Sequence, residues 1–384
     1  MKLLILTSRF PYPLDKGDKL RIYYQVRELS QYFEIILVSI TDKIPDKEEY
    51  AELAPYCKSI YPIKLGRIRS AANTLWSIVS ISKLPAQCAY FYSDIIRNKI
   101  GSIISAEAPD HIYCQLLRTS EYIKGLNIPK TMDFMDAFST GASMRADKGH
   151  LIQRWFWKRE ASLLRKYESS ISKEFDNLTI ISRLDRDRLK DIENIQVVNN
   201  GIDARFFIEE KAEAQYDAVF VGNLGYYPNV RAVGYISEYI LPAYEASYKK
   251  SLKVNIVGPN SSNVKTWESN HLNIGGWYDN VIDGFCSGRI FLAPLFEGIG
   301  QQNKILEAMA IGIPVVTTPD VAKALGMEHG NQLLVANTAR SFSDCIHQFL
   351  TDKDFTGGMM DRARRFVSLN YEWHAVCQPL IKLI

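Results

Sequence analysis

The chain has 384 residues and no apolar run close to the ~18 to 20 residues that a membrane-spanning helix requires. Its six cysteines, Cys57, Cys88, Cys114, Cys286, Cys345 and Cys377, form no C-x-x-C pair and no metal-ligand spacing, so they read as buried thiols of a reducing compartment. The histidines His111, His150, His271, His329, His347 and His374 make no H-E-x-x-H or other ligand pair, so the sequence predicts no catalytic metal. G-x-S-x-G is absent, which removes the case for a nucleophile elbow. The first apolar segment leads into Ser8-Arg-Phe-Pro11 instead of G-x-G-x-x-G, which disfavours a nicotinamide cofactor. A net charge of +3, with no basic tail or zinc-finger spacing, gives no footprint for nucleic acid. No internal repeat or low-complexity tract occurs. The opening Lys2 to Thr7 segment is too short and wrongly flanked for a signal peptide, so a cytoplasmic protein is expected.

What is present is ordinary globular composition, 47% hydrophobic and 23% charged, at a length that predicts two domains. Apolar runs at Leu3 to Leu6, Ile35 to Ile40, Ile112 to Cys114, Thr131 to Met135 and Leu178 to Ile181 alternate with helical patterns. Such alternation predicts a parallel sheet covered on both faces. After Val197-Val-Asn-Asn-Gly201-Ile-Asp203 and a charged linker over Glu209 to Gln215, a second series begins at Asp217 to Gly222. It continues through Val254 to Gly258, Leu272 to Gly275, Ile290 to Leu295 and Val315 to Thr318. The fold class is therefore α/β with two doubly wound, Rossmann-like domains, divided as 1–205 and 206–365. Ligands of open parallel sheets bind beyond the carboxyl ends of the strands, so a cleft faced by both domains is the expected site.

The most informative stretch is Arg289 to Pro319, which reads as strand, glycine loop, helix and strand in one pass. Gly298 and Gly300 permit close backbone approach to a ligand, and Asn303 serves as the expected N-cap of the helix. Lys304 and Glu307 occupy its first turn, and Gly312 with Pro314 ends it. Backbone N–H groups and the macrodipole at such a helix start favour a diphosphate, to which Lys304 adds charge. Glu307 is suited to accept both hydroxyls of a ribose. The alternative is a plain βαβ unit in which Lys304 and Glu307 merely pair at i, i+3.

The string Lys304-Ile-Leu-Glu307-Ala-Met-Ala-x-Gly312-x-Pro314-Val-Val resembles the retaining glycosyltransferases of family 4, which have the GT-B fold. The Gln302-Asn-Lys304 run before the helix, the Pro11-x-Pro13-x-Asp15-Lys-Gly17-Asp18 loop and Asp133-Phe-Met-Asp136 are similar to its exopolysaccharide and PEP-CTERM-associated branch. The resemblance covers nearly the whole chain. It implies transfer of a sugar from a nucleotide-sugar donor, a UDP- or GDP-sugar used as substrate, to a hydroxyl of an exopolysaccharide, capsule or lipopolysaccharide acceptor. Retention, no metal and no separate cofactor are implied with it. Glu307 takes the family's ribose-binding role. The family's paired glutamates flank seven residues whereas Glu297 and Glu307 flank nine, which leaves either Glu297 or the Gly300-Gln301-Gln302 stretch to face the sugar. The Tyr371 to Trp373 segment resembles the family's C-terminal helix, so residues 366–384 are expected to cross back onto the first domain.

The remaining candidates follow from their places at strand ends. Gly17, Gly222, Asn223 and Gly258 are expected to admit the donor, and Trp277 or Tyr278 to lie against its base. Gly17 has the alternative of supplying φ > 0 to a solvated loop with Asp18 as helix cap. Asp133 and Asp136 are expected to orient acceptor hydroxyls, or else to cap the next helix. Relatives carry further cations near the Gly222 turn, where Arg231 is the only base apparent here, so Lys304 is expected to bear the diphosphate charge. Asp185-Arg-Asp187 imitates a metal-binding Asp-x-Asp but lies in a charged helical stretch and is set aside. Lys58, Lys64, Arg67, Arg69 and Lys83, with Trp76 and the Arg154 to Glu160 segment, suggest peripheral contact with an anionic membrane at its inner face, or simply helix packing. A nucleotide-sugar epimerase of the same fold and a non-catalytic nucleotide-sugar-binding scaffold at the membrane are the alternative functions.

Overall fold

The computed structural model describes residues 1–79, 84–148, 150–208, 212–296 and 301–384. The chain forms two compact units, Met1–Asn199 with Val376–Ile384, and Asn200–Ala375.

The first unit is built on a seven-stranded parallel sheet of β1 (Lys2–Thr7), β2 (Glu34–Thr41), β3 (Ser59–Lys64), β4 (His111–Gln115), β5 (Lys130–Asp133), β6 (Asn177–Ile180) and β7 (Ile195–Val197), in the order β3-β2-β1-β4-β5-β6-β7. Leu3 to Leu6 of β1 are fully buried, as an interior parallel strand demands. Strand β3 was not expected from the sequence. Its Ser-Ile-Tyr-Pro-Ile-Lys breaks the apolar pattern with Pro62, which is tolerated because β3 is an edge strand.

The second unit holds a six-stranded parallel sheet of β8 (Tyr216–Val221), β9 (Val254–Val257), β10 (Leu272–Gly276), β11 (Gly288–Ala293), β12 (Val315–Thr317) and β13 (Leu334–Val335), ordered β10-β9-β8-β11-β12-β13. Its core joins β8, β9 and β11 to the buried face of the Asn303–Ile311 helix through Ile305, Leu306 and Met309. In both sheets the order reverses beside the first strand of the unit, the arrangement that leaves a crevice at the strands' carboxyl ends.

The boundaries differ from the expected 1–205 and 366–384. Ile202 N donates to Tyr371 O at 2.6 Å, and a Cβ on Gly201 would lie 2.4 Å from the Trp373 ring. Glycine is required for that close approach. These contacts hold residues 200–205 and the chain through Ala375 in the second unit, and only Val376–Ile384 belongs to the first. Part of the expected linker, residues 209–211, lies outside the described residues.

Candidate functional site

The ends of β8, β9 and β10 are stitched together by their own backbone. Gly222 N donates to Val257 O at 2.9 Å, Leu224 N to Pro259 O at 2.9 Å and Gly258 N to Gly276 O at 2.7 Å. Gly258 has φ +147°, and a Cβ there would fall 1.9 Å from the Gly222 carbonyl oxygen, so no other residue fits. The strand ends open on a cavity of about 360 Å³ lined by Arg205, Gly222, Asn223, Gly258, Trp277 and Tyr278, among others. The structure thus brings together all five of the sequence-derived candidates from this sheet edge. Trp277 is 70% exposed, whereas the Tyr278 hydroxyl accepts from Asn255 Nδ2 at 3.2 Å.

Lys304 stands in the first turn of the Asn303–Ile311 helix, and Glu307, expected in that turn, lies just beyond it because the helix starts one residue earlier than expected. Gln302, not Asn303, holds the N-cap position, and Asn303 is the first helical residue. Lys304 Nζ donates to Asn229 Oδ1 at 2.5 Å and lies 5.1 Å from the Phe220 ring centroid. Asn229 Nδ2 in turn donates to Asn223 O at 2.8 Å, which ties the ammonium to the β8 turn. A Cβ on Gly222 would lie 3.3 Å from Lys304 Nζ, so the lysine sits directly beside the strand end.

Both ionisable groups are far from their ordinary behaviour. Burial pulls Lys304 down to about 8, with Glu307 pulling the other way. Burial likewise pushes Glu307 up to about 7, opposed by Arg205 and Lys304. Both side chains are only half-buried by exposure, so they are not sealed in the core. Such displaced groups are typical of sites that await a charged ligand. The Asn303 Oδ1 atom is also buried and, among the described residues, has no hydrogen-bond partner.

Several expectations for the loop are corrected, and others fall on residues outside the described ones. Gln301 does not face a ligand: its Oε1 accepts from Asn200 N at 2.7 Å and its Nε2 donates to Asn200 O at 2.6 Å. Glu297, Gly298 and Gly300 lie outside the described residues. Arg231 is exposed on the Tyr227–Tyr235 helix, and the basic residue that acts on Glu307 besides Lys304 is Arg205, on the short turn Ala204–Phe206. Neither Arg205 nor Asn229 was singled out from the sequence. Asn229 follows Pro228 at a helix start, a polar residue where the β8 turn meets the helix, and that was the available signal.

In the first unit, Asp133 is corrected. Its carboxylate takes Arg21 Nε at 2.7 Å, Tyr113 Oη at 2.9 Å and Thr179 Oγ1 at 3.1 Å, and both Asp133 and Arg21 side chains are 0% exposed. A carboxylate so saturated holds the sheet together and has no oxygen to offer an acceptor. Asp136 differs. It is exposed just beyond β5, and burial of its surroundings, with Asp185 and Asp133 nearby, pushes it up to about 6. Gly17 opens the Gly17–Leu29 helix with Lys16 at the N-cap, no atom lies within 4 Å of a Cβ there, and it does not use a positive φ. Asp18 is ion-paired with Arg9. Asp185 accepts from Ser182 Oγ at 2.5 Å and from Arg188 at 3.2 Å, and Asp187 takes Arg186 at 2.9 Å, so the Asp-x-Asp string belongs to a self-paired helix. Among the described residues no cluster of three or more His, Cys, Asp or Glu could hold a metal.

Comparison with known proteins fits this geometry. Residues 215–352 match the family described as Glycosyl transferases group 1, a stretch that holds the cavity's lining from Val221 to Val281 and the Lys304 helix. A Klebsiella pneumoniae protein described as an uncharacterized 44.6 kDa protein in cps region is 23% identical over 406 residues, covering 99% of each chain. Among solved structures, a glycosyltransferase from Rickettsia africae ESF-5 superposes with a TM-score of 0.68 at 13% identity, over 100% of this chain and 97% of its own. HepE from Anabaena in complex with UDP and glucose gives 0.65 at 13%, over 100% and 98%. S. aureus TarM, as a mutant in complex with Fondaparinux, alpha-GlcNAc-glycerol and UDP, gives 0.65 at 11%, over 100% and 99%. The fold is that of the GT-B glycosyltransferases, and with the family match it supports a glycosyltransferase of the GT-B type.

Proposed function

We propose that the chain moves a sugar from a nucleotide-sugar donor, a UDP- or GDP-sugar, to a hydroxyl of a surface glycan, with retention of anomeric configuration and without a metal. The observation that carries this reading is the cavity lined by Trp277, with Lys304 beside its Gly222 and Glu307 facing its Arg205 electrostatically, which together offer three recognition elements. Trp277 offers a stacking face for a base, Glu307 a bidentate acceptor for a ribose, and Lys304 a desolvated ammonium at a helix start for a diphosphate. The HepE structure is a complex with UDP and glucose, and the relative in a cps region favours a capsule polysaccharide as the product.

In this reading the diphosphate supplies Lys304 with a counter-charge beyond the one that Glu307 offers. As the glycosidic bond breaks, negative charge grows on the leaving oxygen. Lys304 and the helix N–H groups stabilise it without reorganising, an effect worth about 10² to 10³ in rate for a single donor. Asp136 orients the acceptor hydroxyl from the first unit. Contact with an anionic membrane is proposed on the exposure of Leu75 (63%), Trp76 (73%) and Trp155 (61%), and no described helix is long and apolar enough to cross one. The side chains of Arg67 and Arg69 and all of Lys83, part of the expected basic patch, lie outside the described residues.

The test begins with a panel of nucleotides scored by thermal stabilisation, because binding raises stability by mass action. The stabilising nucleotide's sugar conjugates are then incubated with the protein. Release of free sugar and nucleoside diphosphate supports a transferase, conversion to another nucleotide sugar identifies an epimerase, and binding without either identifies a scaffold.

A further inference from the structure

The strand ends of the first unit hold a cation that the donor chemistry leaves unused. β1 and β4 are paired, with Leu6 opposite Cys114, so the segments that leave them, through Ser8 and Arg9 and through Gln115 to Arg118, emerge side by side. The Arg118 guanidinium lies 5.4 Å from the Phe91 ring centroid and 5.2 Å from that of Phe138. Among the described residues it makes no hydrogen bond and no ion pair, and its Nε is buried without a partner. Ser8, just beyond β1, is 2% exposed, and among the described residues its Oγ also lacks a partner.

The neighbours of Arg118 intensify its need. Burial pushes the guanidinium down, and Arg9 and Arg145 add to that effect. Asp18 pulls the other way, but it is already ion-paired with Arg9. Arg145 rests over the Trp157 ring at 4.9 Å. A desolvated guanidinium without a carboxylate is costly, and ring contacts use its faces while leaving its N–H edges, the fork that grips a phosphate or carboxylate.

We propose that the acceptor is an anion whose phosphate or carboxylate group binds in the first unit against Arg118, with Arg9 and the Ser8 hydroxyl as further partners. Asp136, beyond the neighbouring strand, would then meet the acceptor's hydroxyl while the arginines hold its charge. That the anion is an acceptor rests on the glycosyltransferase reading; the anion site itself does not.

The full chain is titrated calorimetrically with inorganic pyrophosphate and with glucuronate, each with and without saturating UDP. The expected result is an anion site that persists when UDP is present, weakens at least tenfold in Arg118→Gln and is partly kept in Arg118→Lys. Preference for pyrophosphate identifies a phosphate-linked acceptor, and preference for glucuronate an acidic sugar. The proposal is overturned if the wild type binds neither anion in the presence of UDP. It is equally overturned if Arg118→Gln keeps full affinity while melting at the wild-type temperature. Should Arg118→Gln not fold, Arg9→Gln, whose side chain is 35% exposed, repeats the measurement: weakened anion binding supports the site and full affinity overturns it. An intact anion site in a protein that binds no nucleotide would refute the donor reading and leave the anion site standing.

Discussion

Replacing Lys304 by methionine is expected to make the protein more stable and unable to hold a nucleotide. Burial lowers Lys304 from 10.5 to about 8. At about 1.4 kcal/mol for each tenfold change in proton affinity, keeping this ammonium charged in the ligand-free fold costs about 3 kcal/mol. Methionine keeps most of the aliphatic volume, but it deprives Asn229 Oδ1 of its donor, a loss of about 1 to 2 kcal/mol. The net gain is about 1 to 2 kcal/mol, or roughly 2 to 8 °C in the melting temperature of a unit this size. The sign has a pH signature. Because the folded value lies below the unfolded one, the penalty is complete below about 8, shrinks as pH rises from 8 to 10.5, and is absent above that. The advantage of Lys304→Met over wild type should therefore be largest near neutrality and fade by about pH 10. Thermal melts of both proteins at several pH values, with and without the stabilising nucleotide, decide the matter. If Lys304→Met is less stable than wild type near neutrality and still responds to nucleotide, the lysine is a structural residue and does not bind the diphosphate.

The other expectations follow from the same chemistry. Glu307→Gln should fold and weaken nucleotide binding by about 1.5 to 3 kcal/mol, the usual worth of a charged hydrogen bond, and unchanged affinity in calorimetry would remove Glu307 from the ribose. Nucleotide affinity should rise with pH until Glu307 ionises near 7 and fall once Lys304 loses its proton above about 8, so a flat profile between about pH 5.5 and 9.5 would contradict both assignments. Transfer activity should survive a strong chelator, and loss restored by magnesium or manganese would overturn the metal-free reading. Asp133→Asn should destabilise the first unit by about 3 to 5 kcal/mol by stranding buried Arg21, whereas Asp136→Asn should melt near the wild type and lose transfer; the reverse pattern would exchange their roles.

Much of this site was legible in the chain because its grammar is local. A buried apolar run followed by glycine marks the end of a parallel strand, and that reading put Gly222, Asn223, Gly258 and Trp277 at the strand ends, where they line one cavity, with Lys304 hydrogen-bonded to Asn229 beside the β8 turn. What was not legible depends on partners far along the chain. Gln301 is spent on the Asn200 peptide, 101 residues away, and the cation that acts on Glu307 besides Lys304 is Arg205, which no motif near the helix announces. Strand β3 was lost because Pro62 contradicts a central strand, and only the sheet order shows it to be an edge.

Asp133 and Asp136 show why motif reading stops at the strand end. They are three residues apart at one edge and the sequence offers no reason to separate them. Met135 between them takes φ +58°, and Asp136 N turns back to Phe134 O at 2.8 Å, so the chain reverses after Asp133 has pointed inward. What fixes the inward choice is Arg21, which is 112 residues earlier and needs a carboxylate in the core. With Arg21 satisfied by Asp133, the turn presents the second carboxylate outward, where incomplete solvation and its acidic neighbours hold its proton up to about pH 6. The first unit therefore contains one arginine whose carboxylate came from the chain and another, Arg118, for which the described residues supply none. That contrast is the physical reason for expecting the missing anion to arrive with the acceptor.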